Sequence, residues 1–295
     1  MPIAQDFDYH RPSTLKEAGR LLGKYKRASI LAGGTDLIAE IKEEAASPDA
    51  VIDIKAIVGL NKIAIKDGKL RIGALVTFAD IIASKAIRKK LPVLVEISRR
   101  VASPGIRNRA TLAGNICSAV PCLDSGPLLM ALDAVVVAYG PSGQRKIPVS
   151  SWFRGNRKTS IKRGEIVTEM VLPLPPIKHG GCFIKLGRYN GEDLAQASVL
   201  AMAFAKNSYR VAFGSLGPVP LRAHKIEDIL NGKTLSDELI EKSKAIIPGI
   251  ISPISDIRAS KEYRLHMAIV MFERAIRAAV SRLSGDGPEY GTNLI

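Results

Sequence analysis

Residues Leu31, Ala32, Gly33, Gly34, Thr35, Asp36 and Leu37 follow the apolar run Ala28-Ser29-Ile30 and precede the helix-like Ile38-Ala39-Glu40-Ile41-Lys42. The chain thus runs from a strand through two glycines into a helix start. Two successive residues without Cβ admit positive φ and let a ligand come close to the backbone. The peptide N–H groups of such a turn, with those of the helix start, converge on whatever sits above them. This makes an anion cradle suited to a phosphate or pyrophosphate. No Lys or Arg lies inside the stretch. A phosphate there would be held mainly by neutral backbone donors, with the helix end adding ~0.3–1 kcal/mol. Asp36 facing the phosphates would repel them, so it is expected to cap nearby N–H groups instead. The same residues also suit a tight strand-to-helix turn with no ligand.

A second stretch separates these readings. Residues 103–133 contain Ile106-Arg107-Asn108, Ala110-Thr111, Ala113-Gly114-Asn115, Pro121 and Asp124. Here the sequence resembles the FAD-binding subunits of the molybdenum hydroxylase family, which includes the medium subunits of carbon monoxide and nicotinate dehydrogenases and the flavin domain of xanthine dehydrogenase. The family pattern is Ile-Arg-Asn-x-Ala-Thr-Ile-Gly-Gly-Asn, then Pro, then Asp. The chain departs from it at Ala113, where the first Gly usually stands. Were positive φ required there, Ala would cost about 1 kcal/mol or more. Phe183-Ile-Lys185-Leu-Gly187-Arg188 resembles the family's Phe-x-Lys-x-x-Arg segment, in which the Lys touches the flavin. Ser260-Lys-Glu-Tyr263-Arg264 resembles its C-terminal Ser-x-x-Tyr-Arg element.

The resemblance implies an α+β protein: a bilobal α/β FAD-binding domain of PCMH type, followed by a C-terminal domain of antiparallel strands and helices. It implies that Leu31–Leu37 and Thr111–Asn115 clasp the pyrophosphate of FAD from two sides. Val101 and Asp124 would meet other parts of the cofactor, with Val167 and Lys185 near the ring. In elementary terms Thr111 and Asn115 offer side-chain donors, and Asp124 offers an acceptor for a hydroxyl or amino group. Asp124 also suits a plain N-cap of the helix that follows it. Lys185, between Ile184 and Leu186, suits either an outward-facing strand position or an ammonium that favours electron density on a reduced flavin.

Other chemistries lack their residues. Cys117-x₄-Cys122 begins a plant-type [2Fe–2S] pattern, but Ser125 occupies the third place, so both cysteines are read as small packing residues. His10, His179, His224 and His266 have no zinc spacing, and none lies in a glycine turn, so FAD is expected to be non-covalent. No Gly-x-x-x-x-Gly-Lys-Ser/Thr occurs.

The elements that must position these residues follow from periodicity. Ser13 caps an amphipathic helix to Tyr25 carrying Leu15, Ala18, Leu21 and Leu22 on one face. Val51–Ile54 and Leu70–Leu75 read as strands. Thr77 and Asp80 form a capping box, and Pro92 opens a helix to about Val101. The Gly/Ser/Asn-rich stretch 103–125 has no strong period and reads as a functional loop. Ser125 caps a short helix to Leu132, and Ala134–Tyr139 is an apolar strand. Strands and helices thus alternate to about Pro176, which argues α/β. Beyond the Pro-rich link at Pro173–Pro176, Phe183–Leu186, Ala195–Ala205 and Tyr209–Phe213 read as antiparallel strands. Lys225–Leu230, Asp237–Ile246 and Ser260–Leu283 read as helices. The expected domains are 1–176, with lobes of about 1–55 and 56–176, then 177–284, and a frayed tail at 285–295.

The 295 residues are 46% hydrophobic and 24% charged, enough for two domains with sizeable cores. No apolar run reaches a membrane span, and the N-terminus lacks a signal-peptide pattern, so a soluble cytoplasmic protein is expected. The net charge is +15, with basic residues gathered in 85–109 and in Arg154–Arg163. Such runs suit a solvated face, an acidic partner subunit, anionic nucleotides or nucleic acid. Aromatics at 5% and the lack of a recognition motif argue against nucleic acid. The resemblance implies an electron-transfer subunit. Its partners would be a large molybdopterin-binding subunit and a small [2Fe–2S] subunit, with NAD or another carrier as acceptor. A stand-alone FAD-dependent oxidoreductase is the alternative.

Overall fold

A computed structural model describes residues 3–176, 178–189 and 193–295; residue 177, where the second domain is expected to begin, lies outside them. The first lobe comprises β1 (Asp8–His10), α1 (Leu15–Lys24), β2 (Ala28–Leu31), α2 (Leu37–Lys42) and β3 (Ala50–Asp53). Its three strands are parallel with β3 central, Ala50 standing opposite both Asp8 and Ala28. Parallel neighbours need crossovers, which α1 and α2 supply. Ala18, Leu21 and Leu22 of α1 pack with Ile52 in this lobe's core. The cap of α1 is Thr14, not Ser13. Thr14 has the extended backbone of an N-cap, and its hydroxyl accepts from Glu17 N–H at 3.2 Å.

The second lobe contains β4 (Ile63–Lys66), β5 (Lys69–Gly73), α3 (Phe78–Ala83), α4 (Lys85–Lys90), α5 (Pro92–Arg99), α6 (Pro104–Arg107), α7 (Leu112–Ser118) and α8 (Gly126–Ala131). It continues with β6 (Val135–Gly140), β7 (Gly143–Pro148), β8 (Phe153–Gly155), β9 (Lys158–Thr159) and β10 (Ile166–Pro173). Five strands form one sheet in the order β4-β5-β10-β6-β7, and every neighbouring pair is antiparallel. Parallel α/β winding therefore holds only for the first lobe. The reason is local: Asp67 and Gly68 both have positive φ, the geometry of a two-residue hairpin, which folds β4 straight back on β5. The Thr77–Asp80 capping box forms as expected. The stretch read as a loop holds α6 and α7, each capped by a hydroxyl, Ser103 and Thr111. Helices of four and seven residues are too short to display a period.

The C-terminal part carries β11 (His179–Leu186), β12 (Ala197–Phe204), β13 (Ser208–Gly214), β14 (Leu221–Arg222), α9 (His224–Leu230), α10 (Asp237–Ile246) and α11 (Lys261–Ser284). The strands form an antiparallel sheet in sequence order. Alternate residues serve two cores. Phe183, Leu200 and Met202 pack into the core of the second lobe, whereas Ile184, Val199 and Ala201 pack with α11. Burial on both faces explains why β12 is buried throughout and, Ser198 apart, apolar rather than alternating. It also fixes the direction of Lys185, two residues from Phe183 on the same strand face, toward the second lobe.

The tail does not fray. Beyond Gly285, which closes α11 in the left-handed conformation, the chain folds back. Gly291 N–H donates to Glu96 at 2.8 Å, and Arg282 donates to the Pro288 carbonyl at 2.9 Å while stacking on the Tyr290 ring. Glu96 and Arg282 are a buried ion pair at 3.0 Å. Such a pair persists away from water only when its remaining valences are hydrogen-bonded, and the tail supplies those partners. Among the described residues, no helix is long and apolar enough to cross a membrane.

Candidate functional site

The turn after β2 meets the segment leading into α7. A Cβ built on Gly33 would lie 2.1 Å from the Arg109 carbonyl oxygen, so only glycine lets these two backbones touch. Of the two glycines, Gly34 alone has positive φ, at 77°. The second segment is anchored in turn. Phe78 N–H donates to the Ala110 carbonyl at 3.0 Å, and Thr77 and Thr111 form an antiparallel bridge. The Thr111 hydroxyl accepts from Gly114 N–H at 2.9 Å, and a Cβ at 114 would lie the same 2.9 Å from that oxygen. The glycine of this motif therefore protects a cap. Ala113 is an ordinary buried helical residue of α7 without positive φ, so its departure from the family pattern costs no backbone strain.

Between the two segments lies a cavity of about 430 Å³. Ala32, Gly33, Gly34, Thr35, Asp36 and Leu37 line one side, and Val101, Thr111, Gly114, Asn115, Asp124 and Lys185 line the rest. Leu31, Ala113 and Val167 are not on the wall. Leu31 ends β2 with its side chain against Gly34, Ala113 faces the core, and Val167 is buried in β10 opposite Ala138. A second cavity of about 420 Å³ adjoins the first, sharing Ala32, Gly33 and Thr111.

Several side chains act differently from expectation. Asp36 precedes α2 but makes no capping bond, because its backbone is helical (φ −92°, ψ −52°) rather than extended. With α2 only six residues long, the peptide donors of the turn, not a long aligned dipole, are what the cradle offers. Ser125 also has helical backbone and no capping bond; its hydroxyl donates to Asn115 Oδ1 at 2.6 Å, which leaves the Asn115 amide N–H₂ to act as donor. Arg107, one of the motif residues, donates to the Val101 carbonyl at 2.8 Å and so holds Val101 at the cavity. Cys117 is exposed on the wall rather than packed, and Cys122 also lines it, while Cys182 is buried; all three are free thiols. Among the described residues, no cluster of three or more His, Cys, Asp or Glu could hold a metal.

At the foot of the cavity Lys185 Nζ donates to Asp124 Oδ2 and to the Arg100 carbonyl, each at 2.9 Å. Both side chains of this ion pair are over nine-tenths buried. Burial pushes the Asp124 carboxyl up to about 6, with Lys185 pulling against that rise. Asp124 Oδ1 is buried without a hydrogen-bond partner among the protein atoms. An unmet buried acceptor costs roughly 1–3 kcal/mol, so its presence signals a donor that completes the site. Sequence reasoning missed Glu40, Arg157, Asp193 and Leu194, which also line the cavity, as does the motif residue Ile106. Arg157 was visible only as one member of a basic run, since nothing local ties the β8–β9 turn to α2.

The arrangement suits a dinucleotide: a backbone cradle no Cβ could enter, side-chain donors at Thr111 and Asn115, and an orphan acceptor. Comparison with known proteins bears on which one. The profile of the FAD binding domain in molybdopterin dehydrogenase matches residues 5–175, and that of the CO dehydrogenase flavoprotein C-terminal domain matches residues 195–279. The chain is 34% identical to the carbon monoxide dehydrogenase medium chain of Afipia carboxidovorans, over 95% of this chain and 99% of that one. It is 31% identical to the xanthine dehydrogenase FAD-binding subunit of Escherichia coli O157:H7, over 94% and 97%. Its fold superposes on the reconstituted CO dehydrogenase of Oligotropha carboxidovorans with a TM-score of 0.91 and 33% identity, covering 95% of this chain and 100% of that chain.

Proposed function

The chain belongs to the family of FAD-binding domains in molybdopterin dehydrogenases, and on that premise we propose that it holds one FAD non-covalently in the cavity between its two glycine-bearing segments. It is the flavoprotein subunit of a multi-subunit oxidoreductase of the molybdenum hydroxylase type. Molybdopterin and [2Fe–2S] clusters belong to partner subunits, a large and a small one. The observation that carries this reading is the approach of Gly33 to Arg109, which brings two segments distant in sequence onto the same cavity wall.

When bound, FAD supplies a two-electron acceptor that also exchanges single electrons. The residues of this chain do the holding. Ala32–Leu37 present peptide donors to the pyrophosphate, and at the start of α7 the Asn115 amide and Thr111 hydroxyl add side-chain donors. Asp124 Oδ1 accepts from a hydroxyl or amino group of the cofactor. The Lys185 ammonium, fixed by Asp124, would hold a positive charge beside the cofactor and favour electron density on its reduced form. Val101 supplies apolar contact, while Val167 acts behind the wall. Held by these residues, FAD would supply electron transfer between the clusters of the small subunit and NAD⁺ or another carrier. The domain limits that accompany this reading are 1–176 and 177–284, with 285–295 as a folded-back tail; the setting is the cytoplasm.

Co-purification from the native host tests the proposal. The expected result is a complex whose visible spectrum contains flavin and whose metal content includes molybdenum and iron. A chain that stays alone and takes up no flavin after reconstitution would overturn it.

A further inference from the structure

The cavity wall is electrostatically unlike the rest of the molecule. The chain carries a net +15, yet the described lining residues include four carboxylates, Asp36, Glu40, Asp124 and Asp193, against two cations, Lys185 and Arg157. Lys185 is committed to Asp124 and the Arg100 carbonyl. A pyrophosphate entering this wall meets a surplus of like charge, and the turn after β2 offers it neutral donors only. Arg157 is the remaining cation. It sits in the turn between β8 and β9, in the second lobe, and reaches across to Glu40 of α2 in the first lobe.

The backbone around Arg157 is held for this reach. Its φ is +55°, a conformation unusual for a residue with a Cβ, and its N–H donates to the Ala119 carbonyl at 2.9 Å just beyond α7. The guanidinium itself is not locked. Its side chain is 57% exposed and that of Glu40 is 28% exposed, and a pair so open to water is held by little. Glu40 lies one turn after the cradle, so the ion pair stands beside the place where phosphate oxygens are expected.

Resting on the FAD reading, we infer that Arg157 is an exchangeable cation of the dinucleotide site: Glu40 holds it while the cavity is free of cofactor, and the pyrophosphate takes it over on binding. Arg suits this exchange because its planar fork matches carboxylate and phosphate oxygens alike. Glu40 is thus a competitor of the ligand, not one of its contacts. The two residues therefore have opposite effects on affinity. A simple latch over the cleft would give them the same effect, since either substitution would open it.

FAD titration of the full chain, followed by flavin fluorescence, tests the assignment with Arg157→Met, Arg157→Lys and Glu40→Gln. The expected result is about five- to tenfold weaker binding for Arg157→Met with a flatter salt dependence, and partial recovery with Arg157→Lys. Glu40→Gln should bind about two- to threefold more tightly. Unchanged affinity in Arg157→Met, or weaker binding in Glu40→Gln, overturns the exchange. Thermal melting of each variant separates a folding defect from a binding one. If the unaltered chain takes up no FAD at all, the failure lies in the cofactor reading itself rather than in Arg157.

Discussion

The two ends of the cavity grip by different physics. At the cradle end, specificity resides in backbone conformation: one residue at positive φ, one position without room for a Cβ, and a hydroxyl cap that needs glycine three residues on. At the other end it resides in charge, with Lys185 and Asp124 buried together and one carboxylate oxygen left for a ligand. The first end therefore depends on its glycines, and the second on the charge balance of its buried pair.

The largest effect should follow from unbalancing the charged end. Lys185→Met leaves a buried carboxylate without its counter-ion and should cost about 3–5 kcal/mol at neutral pH in urea denaturation. Adding Asp124→Asn should restore much of that loss; equal instability of single and double variants would mean the pair is not the cause. The same end should titrate. The Asp124 carboxyl stands at about 6 in the folded chain against an ordinary 3.8. Its contribution to stability is therefore full below about pH 4 and is lost as pH rises through about 6. At about 1.4 kcal/mol per unit this amounts to roughly 3 kcal/mol. The stability of the unaltered chain relative to Asp124→Asn should fall over that window, and a flat difference would refute the shift.

Smaller stability effects belong to the cradle. Gly33→Val forces the Arg109 backbone away and should cost ~1–3 kcal/mol while abolishing FAD binding. Gly34→Ala places a Cβ at positive φ and should cost about 1 kcal/mol, with severalfold weaker binding. If Gly34→Ala proved the more damaging of the two for binding, conformation at position 34 would matter more than close approach at 33.

The cradle end was the more legible in sequence, because its signals are local. Gly33-Gly34-Thr35 sits between a strand and a helix, and Thr111 to Asn115 form a compact motif. Even there the Gly33 requirement concerns Arg109, 76 positions away, which no local pattern reveals. Asp36 and Ser125 were expected to cap, since residue type alone does not disclose a helical backbone at the capping position. The Lys185–Asp124 pair spans 61 positions, and its formation depends on which face of β11 meets the second lobe. The family pattern named both residues, but spacing could not pair them. Antiparallel pairing in the second lobe turns on two residues, Asp67 and Gly68, whose positive φ folds β4 back on β5. The tail reads as frayed because it is a terminus; its order comes from Arg282 at the end of α11 and from Glu96, which is far from it in sequence.

Titration of the purified full chain with FAD, for the unaltered protein and for Gly33→Val side by side, tests most directly whether two distant turns close on one cofactor. The prediction is saturation at one FAD per chain for the unaltered protein and no saturable uptake by Gly33→Val, with both giving the same folded circular-dichroism spectrum. Equal uptake by the two would contradict the account, as would none by the unaltered chain.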